Sequence, residues 1–130
     1  MGQAQPGDDV ITRHMSHYEA TMGTLPPGLR QLAEEAPAFF DGYSTMRKWA
    51  LRDDAEASLP LKYRHLVCSV LDCAGGNLSG AINHARAGVR RGLTPDEFRD
   101  AAVLLVISNG TPVWGQTARI VVETLRSDAS

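Results

Sequence analysis

Apolar positions along the chain recur three and four residues apart, and no segment alternates apolar with polar. The first spacing marks helices that bury one face; the missing alternation leaves no strand to expect. A weakly patterned helix is predicted from about Asp9 to Met22, ended by Leu25-Pro26-Pro27-Gly28. A short helix from Leu29 to Glu35 follows. Pro37 then opens another, with Phe40, Tyr43, Arg47 and Ala50 at helical spacing. Asp53–Ser58 reads as a polar connection.

The pattern sharpens from Pro60 onward. Residues 60–74 predict a helix with Tyr63, Leu66, Val67, Val70 and Leu71 on one side, ended by Gly75-Gly76. Residues 77–91 predict the next, with Leu78, Ala81, Ile82, Ala85 and Val89 in a narrow stripe. Thr94-Pro95-Asp96-Glu97 has the form of a capping box with proline at the first helical position. The helix it starts should bury Phe98, Ala101, Ala102 and Leu105 and stop at Asn109-Gly110. Thr111-Pro112 begins the last helix, which should run to about Arg126. Five or six helices joined by short loops make an all-α bundle. A chain of 130 residues fits one domain, residues 1–130.

Composition narrows the function. Hydrophobic residues at 43% and charged residues at 22% are globular values. A net charge of -2 with scattered cations argues against nucleic-acid binding, which needs a basic face. No apolar run approaches the ~18 residues of a membrane span, and the first residues lack the pattern of a secretory signal. The expectation is a cytoplasmic protein with neither nucleic-acid nor membrane partners.

Candidate chemistry follows from the helical wheels. Lys62, His65, Ser69 and Asp72 share one stripe of helix 60–74. The plain reading is a solvated face; the alternative sets His65 beside a site, with Ser69 or Asp72 bonded to it. On helix 77–91, Asn77, Gly80, His84 and Arg91 form a strip flanking the apolar stripe. Gly80 costs about 1 kcal/mol in a helix interior relative to alanine. Close packing of another helix would compensate, and so would open space for a ligand beside His84. Either histidine can carry protons near neutral pH. Because helices 60–74 and 77–91 are joined by a very short turn, they should pack antiparallel, with His65 and His84 at similar height. His14 and His17 are three apart, but no further ligand completes a metal set. Cys68 and Cys73 lie five apart on one helix, separated by a rise of about 7.5 Å, too far for a disulfide within it.

The order of motifs resembles the carboxymuconolactone decarboxylase family. Leu59-Pro60-Leu61-Lys62-Tyr63-Arg64 is similar to its opening motif. His84, Ala87, Gly92, Leu93, Thr94, Asp96 and Glu97 match its histidine followed by Gly-x-Thr-x-x-Glu, and Gly110-Thr111-Pro112 resembles its last turn. The likeness spans about residues 59–125. It implies an alkyl hydroperoxidase D-like helical fold that assembles as a homotrimer or homohexamer, with sites near subunit contacts. The redox branch of that family uses Glu-x11-Cys-x2-Cys-x3-His. Anchored on His84, that pattern falls on His65, Asn77 and Gly80, so all three residues differ and the thiols are missing. The decarboxylase branch needs no metal or organic cofactor. The resemblance thus implies a lyase or isomerase acting on a small cyclic or aromatic-derived carboxylate. His84 and His65 would be catalytic, with Asn77 and Gly80 on the substrate side. A non-catalytic oligomeric binding module and a peroxide reductase using Cys68 or Cys73 are the alternatives.

Overall fold

The structure is a computed structural model that describes residue 5 and residues 7–130. Among the described residues every regular element is helical, as the spacing requires. Among the described residues there are seven α-helices, one for each helical segment marked out in the sequence, against the five or six expected for the bundle. No helix among them is long and apolar enough to cross a membrane. The chain forms two compact units, Met1–Arg52 and Asp53–Ser130.

The first unit holds α1 (Asp8–Met22), α2 (Pro27–Glu35) and α3 (Pro37–Ala50). Pro27 and Pro37 stand in the first turns of α2 and α3, where a missing N–H costs nothing. Gly7, with φ of 85°, leads into α1; a Cβ there would lie 2.7 Å from the Ala33 carbonyl oxygen, so α1 starts hard against α2. Val10, Ile11, Tyr18, Leu25, Ala33 and Phe40 form the core, with the Tyr18 and Phe40 rings stacked.

Polar bonds also join α1 and α3. His14 Nε2 lies 2.6 Å from Asp41 Oδ1, and the Tyr18 hydroxyl is 2.7 Å from Ser44 Oγ. Arg47 donates from Nε to His17 Nε2 and from its second terminal nitrogen to Thr21 Oγ1. The His14–His17 spacing therefore serves two separate side-chain bonds to α3.

Burial, then the charges of Arg47, Lys48 and His14, hold His17 down at about 4 from its ordinary 6.5. The unfolded chain then binds the proton more readily than the folded one, so stability rises with pH through this window. His17 contributes fully above pH 6.5, and the contribution fades as pH falls to about 4. His17→Gln keeps an acceptor for Arg47 and removes the titration. Urea midpoints of the variant should fall less steeply than wild type between those two pH values; parallel slopes would refute the assignment.

The second unit starts with a 3₁₀ turn at Asp54–Glu56, followed by α4 (Leu61–Ala74), α5 (Leu78–Arg90) and α6 (Pro95–Asn109). A π-turn at Trp114–Ala118 leads directly into α7 (Arg119–Ala129). Asp54 starts α4 by accepting from Leu61 N–H at 2.6 Å. The predicted capping box is present: Thr94 Oγ1 accepts from Glu97 N–H, and Glu97 Oε1 accepts from Thr94 N–H. Cys73, Ala81, Ala85, Phe98, Ala102, Val113, Ala118, Val121 and Leu125 form the core. The last helix departs from expectation twice. It carries the π-turn, where Thr117 Oγ1 donates to both Val113 O and Cys73 O, and it runs on to Ala129.

Candidate functional site

Local rules set the geometry of the α4–α5 pair. Gly76 sits at φ 78°, a conformation open to glycine, and Asn77 N–H donates back to the Asp72 carbonyl at 2.9 Å. This six-to-one closure ends α4 and reverses the chain within three residues. Asn77 then caps α5, its Oδ1 accepting from Gly80 N–H at 3.1 Å. The far end of α5 closes the same way: Gly92 lies at φ 101°, and Leu93 N–H donates to Gly88 O.

Between those ends runs a polar seam. His65 Nδ1 lies 3.0 Å from His84 Nδ1, with ring centroids 5.3 Å apart and planes tilted by 39°. One turn on, Ser69 Oγ donates to the Ala81 carbonyl at 2.7 Å. One turn further, Asp72 and Asn77 meet over Gly80. A Cβ on Gly80 would collide with Asn77 Nδ2 and come within 2.7 Å of Asp72 Oδ2. Gly88 allows close approach on the other side of His84, where a Cβ would lie 3.3 Å from the Lys62 carbonyl oxygen. His84 thus stands between two glycines four residues away on either side, on the face α5 turns to α4.

The seam corrects the solvated reading of the α4 stripe. His65 is 2% exposed and Ser69 is fully buried. On α5 the buried residues are Ala81, His84, Ala85, Ala87 and Gly88. These are small apart from the histidine, so the helices come close enough for side-chain bonds to satisfy the buried polar groups. Ser69 bonds the Ala81 carbonyl rather than His65. The apolar side of α4 divides: Leu66 and Val70 pack on the core, whereas Val67 and Leu71 are exposed. Leu104 and Ile107 of α6 are exposed as well, the latter at 82%.

Of the four positions singled out by sequence, His65 and His84 meet directly. Asn77 and Gly80 lie one to two turns before His84, Asn77 as the α5 cap and Gly80 as the position its amide and the Asp72 carboxylate close over. Of the two readings of Gly80, close packing is the one observed, with the Asn77 amide and Asp72 of α4 filling the space beside it. Ser69 is the residue whose part sequence misplaced. Its position one turn from His65 was the available signal, but the carbonyl partner on α5 was not legible.

Cys68 is half-buried and Cys73 buried, and the two are not joined in a disulfide. Burial raises the Cys73 thiol above its ordinary range, the opposite of what a thiolate nucleophile needs. With a dithiol donor and an organic peroxide, wild type and Cys68→Ser/Cys73→Ser should be equally inert. Wild-type turnover abolished in the double variant would establish the reductase alternative.

Two comparisons bear on this arrangement. The family model described as "Carboxymuconolactone decarboxylase family" matches residues 37–123. The chain belongs to the carboxymuconolactone decarboxylase family. The match begins in α3, earlier than the opening motif at Leu59, and runs into α7. Among solved structures, a "putative carboxymuconolactone decarboxylase" from Burkholderia xenovorans LB400 is 43% identical, with a TM-score of 0.91. The similarity covers 95% of this chain and 93% of that one. No curated protein matches significantly. The family membership accounts for the all-helical fold.

Proposed function

We propose that this family member is a cofactor-free lyase or isomerase acting on a small cyclic or aromatic-derived carboxylate. The observation that carries the reading is the buried Nδ1–Nδ1 contact of His65 and His84 at 3.0 Å. Two imidazoles in contact offer a base and an acid within one site, which is what proton removal next to a carbonyl and redelivery elsewhere require.

In the isomerase case, His84 takes a proton from the carbon beside an unsaturated lactone carbonyl. The C–H electron pair enters a dienolate, and a proton returned at the far carbon completes the shift. In the lyase case, a carboxylate leaves as carbon dioxide, the C–C bonding pair enters the dienolate, and the imidazolium protonates the carbon. The histidine then recovers its proton from solvent. Asn77, two turns before His84 and with its Oδ1 used in the α5 cap, would orient a carbonyl or carboxylate through its amide N–H groups. Gly80 contributes by lacking a side chain that would hold Asn77 away from the helix.

The test is turnover of unsaturated lactone carboxylates, followed by loss of ultraviolet absorbance and by carbon dioxide release. Turnover that depends on His84 supports the reading. Binding without turnover across such acids would leave a non-catalytic binding module. The same reading carries a homotrimer or homohexamer, supported by exposed Val67, Leu71, Leu104 and Ile107 on α4 and α6. Light scattering that gives a stable monomer of 14.1 kDa at micromolar concentration would overturn it.

A further inference from the structure

The nitrogens that meet across the α4–α5 seam are both Nδ1, and this limits what the pair can be. A hydrogen bond between two ring nitrogens holds one proton. If both Nδ1 atoms carried protons, two donors would face each other at 3.0 Å; if neither did, two lone pairs would. The neutral pair is therefore asymmetric. One ring has its proton on Nδ1 and an unprotonated Nε2. Its partner has an unprotonated Nδ1 and carries its proton on Nε2.

The backbone enforces this contact. Ser69 Oγ is tied to the Ala81 carbonyl, one turn after His65 and one turn before His84, which fixes the register of the two helices. Gly88, one turn beyond His84, admits the Lys62 backbone. The 39° tilt and the 5.3 Å between centroids place the rings edge to edge, so the nitrogen contact is directed rather than a by-product of stacking.

We propose that His65 is a positioning residue that acts through His84. Its Nδ1 sets the tautomer of the His84 ring, and the two share one proton, so that they take up a single further proton as a unit. The division of labour follows burial: His65 is 2% exposed and His84 9%. It rests on the acid–base reading of the site given above. In the singly protonated pair the Nδ1 proton can hop across the bond, moving the imidazolium from one ring to the other at no change of net charge. His84 can thus act as base in the neutral pair and as acid once the pair has taken up a proton. A second added proton would set two imidazolium Nδ1–H groups against each other and break the contact.

Half-buried Cys68 and other ionisable groups stand around the seam. Lys62 and Asp72 share the α4 stripe one turn before His65 and two turns after it. Tyr63 is bonded to Glu97 of α6. On α5, Arg86 is paired with Asp128 of α7, where Arg119 pairs with Glu123 and Arg126 with Asp96 of α6. Cys73, which accepts from Thr117 at its carbonyl, keeps a neutral thiol.

Nitrogen-15 spectra of the histidine rings test this without any substrate, with His14 and His17 assigned by their own substitutions. The expected result is opposite tautomers for His65 and His84 while the pair is neutral, and a single imidazolium shared between them at the first protonation step as pH falls. Both rings in the Nε2–H form, or two independent titrations, would overturn the proposal.

The second arm uses any lactone carboxylate found to turn over. In His65→Asn the amide can replace the Nδ1 bond, whereas His65→Phe cannot. The asparagine variant should keep kcat within about tenfold of wild type, and the phenylalanine variant should lose about a hundredfold or more at similar KM. Equal losses in two folded variants would overturn the positioning role. If the phenylalanine variant fails to fold, the spectra of the wild-type protein decide. Opposite tautomers in a protein that turns over nothing would remove the proposed activity and leave the pairing. Turnover with like tautomers would do the reverse.

Discussion

Removing the His84 ring is expected to lower turnover by roughly 10²–10⁴-fold, the usual loss when a positioned acid–base is deleted. Two substitutions separate chemistry from packing. His84→Ala deletes the imidazole and leaves His65 Nδ1 without the partner it has at 3.0 Å. Stranding a buried polar atom costs about 1–3 kcal/mol, so this variant should also be less stable. His84→Asn can restore a hydrogen bond to His65, yet its amide cannot carry a proton at neutral pH. It should recover most of the stability and little of the rate. Urea midpoints and kcat, measured on both variants, check the pair of statements. Recovery of rate in the asparagine variant would show that His84 holds the substrate or the helix rather than a proton.

Phe98→Ala is expected to have the largest effect on stability. The ring is fully buried, and its cluster includes Ala81, Ala85, Ala102 and Ala118, residues with almost no side chain to relax into a vacated space. Large-to-small changes at such sites leave a cavity and cost about 3–5 kcal/mol for phenylalanine. That is a large part of the roughly 5–15 kcal/mol that holds a domain folded. The urea midpoint should fall sharply with the slope unchanged. A fall of less than about 1 kcal/mol would mean that the cluster closes over the gap.

Much of the fold was legible because its punctuation is chemical and local. Thr94 and Glu97 cap one another as their spacing required, Gly75-Gly76 reverses the chain, and the prolines stand in first turns. The proximity of His65 and His84 was legible too, since a short turn places residues at equal distance from it at the same height.

Three features were not legible, each for a physical reason. The α4 stripe of His65 and Ser69 looks like a solvated face, since polarity alone cannot show that α5 offers a carbonyl and a second imidazole opposite it. Val67 and Leu71 look like core, because sequence shows the apolar character of a face and not whether this chain covers it. The π-turn depends on Thr117 bonding the Cys73 carbonyl 44 residues away, which no local pattern encodes.

The reversal at Gly75–Asn77 also bears on how quickly the histidine pair is assembled. His65 and His84 are separated by only 19 residues of chain, and Ser69 and Ala81 by 12. Bringing such ends together costs little loop-closure entropy, and contacts of short sequence separation belong to the fast-forming class. The proton-carrying centre is thus built from low-contact-order pairings, whereas Thr117 of the π-turn bonds a carbonyl 44 residues away. During refolding, the two imidazoles should come into register ahead of the core that later stabilises them.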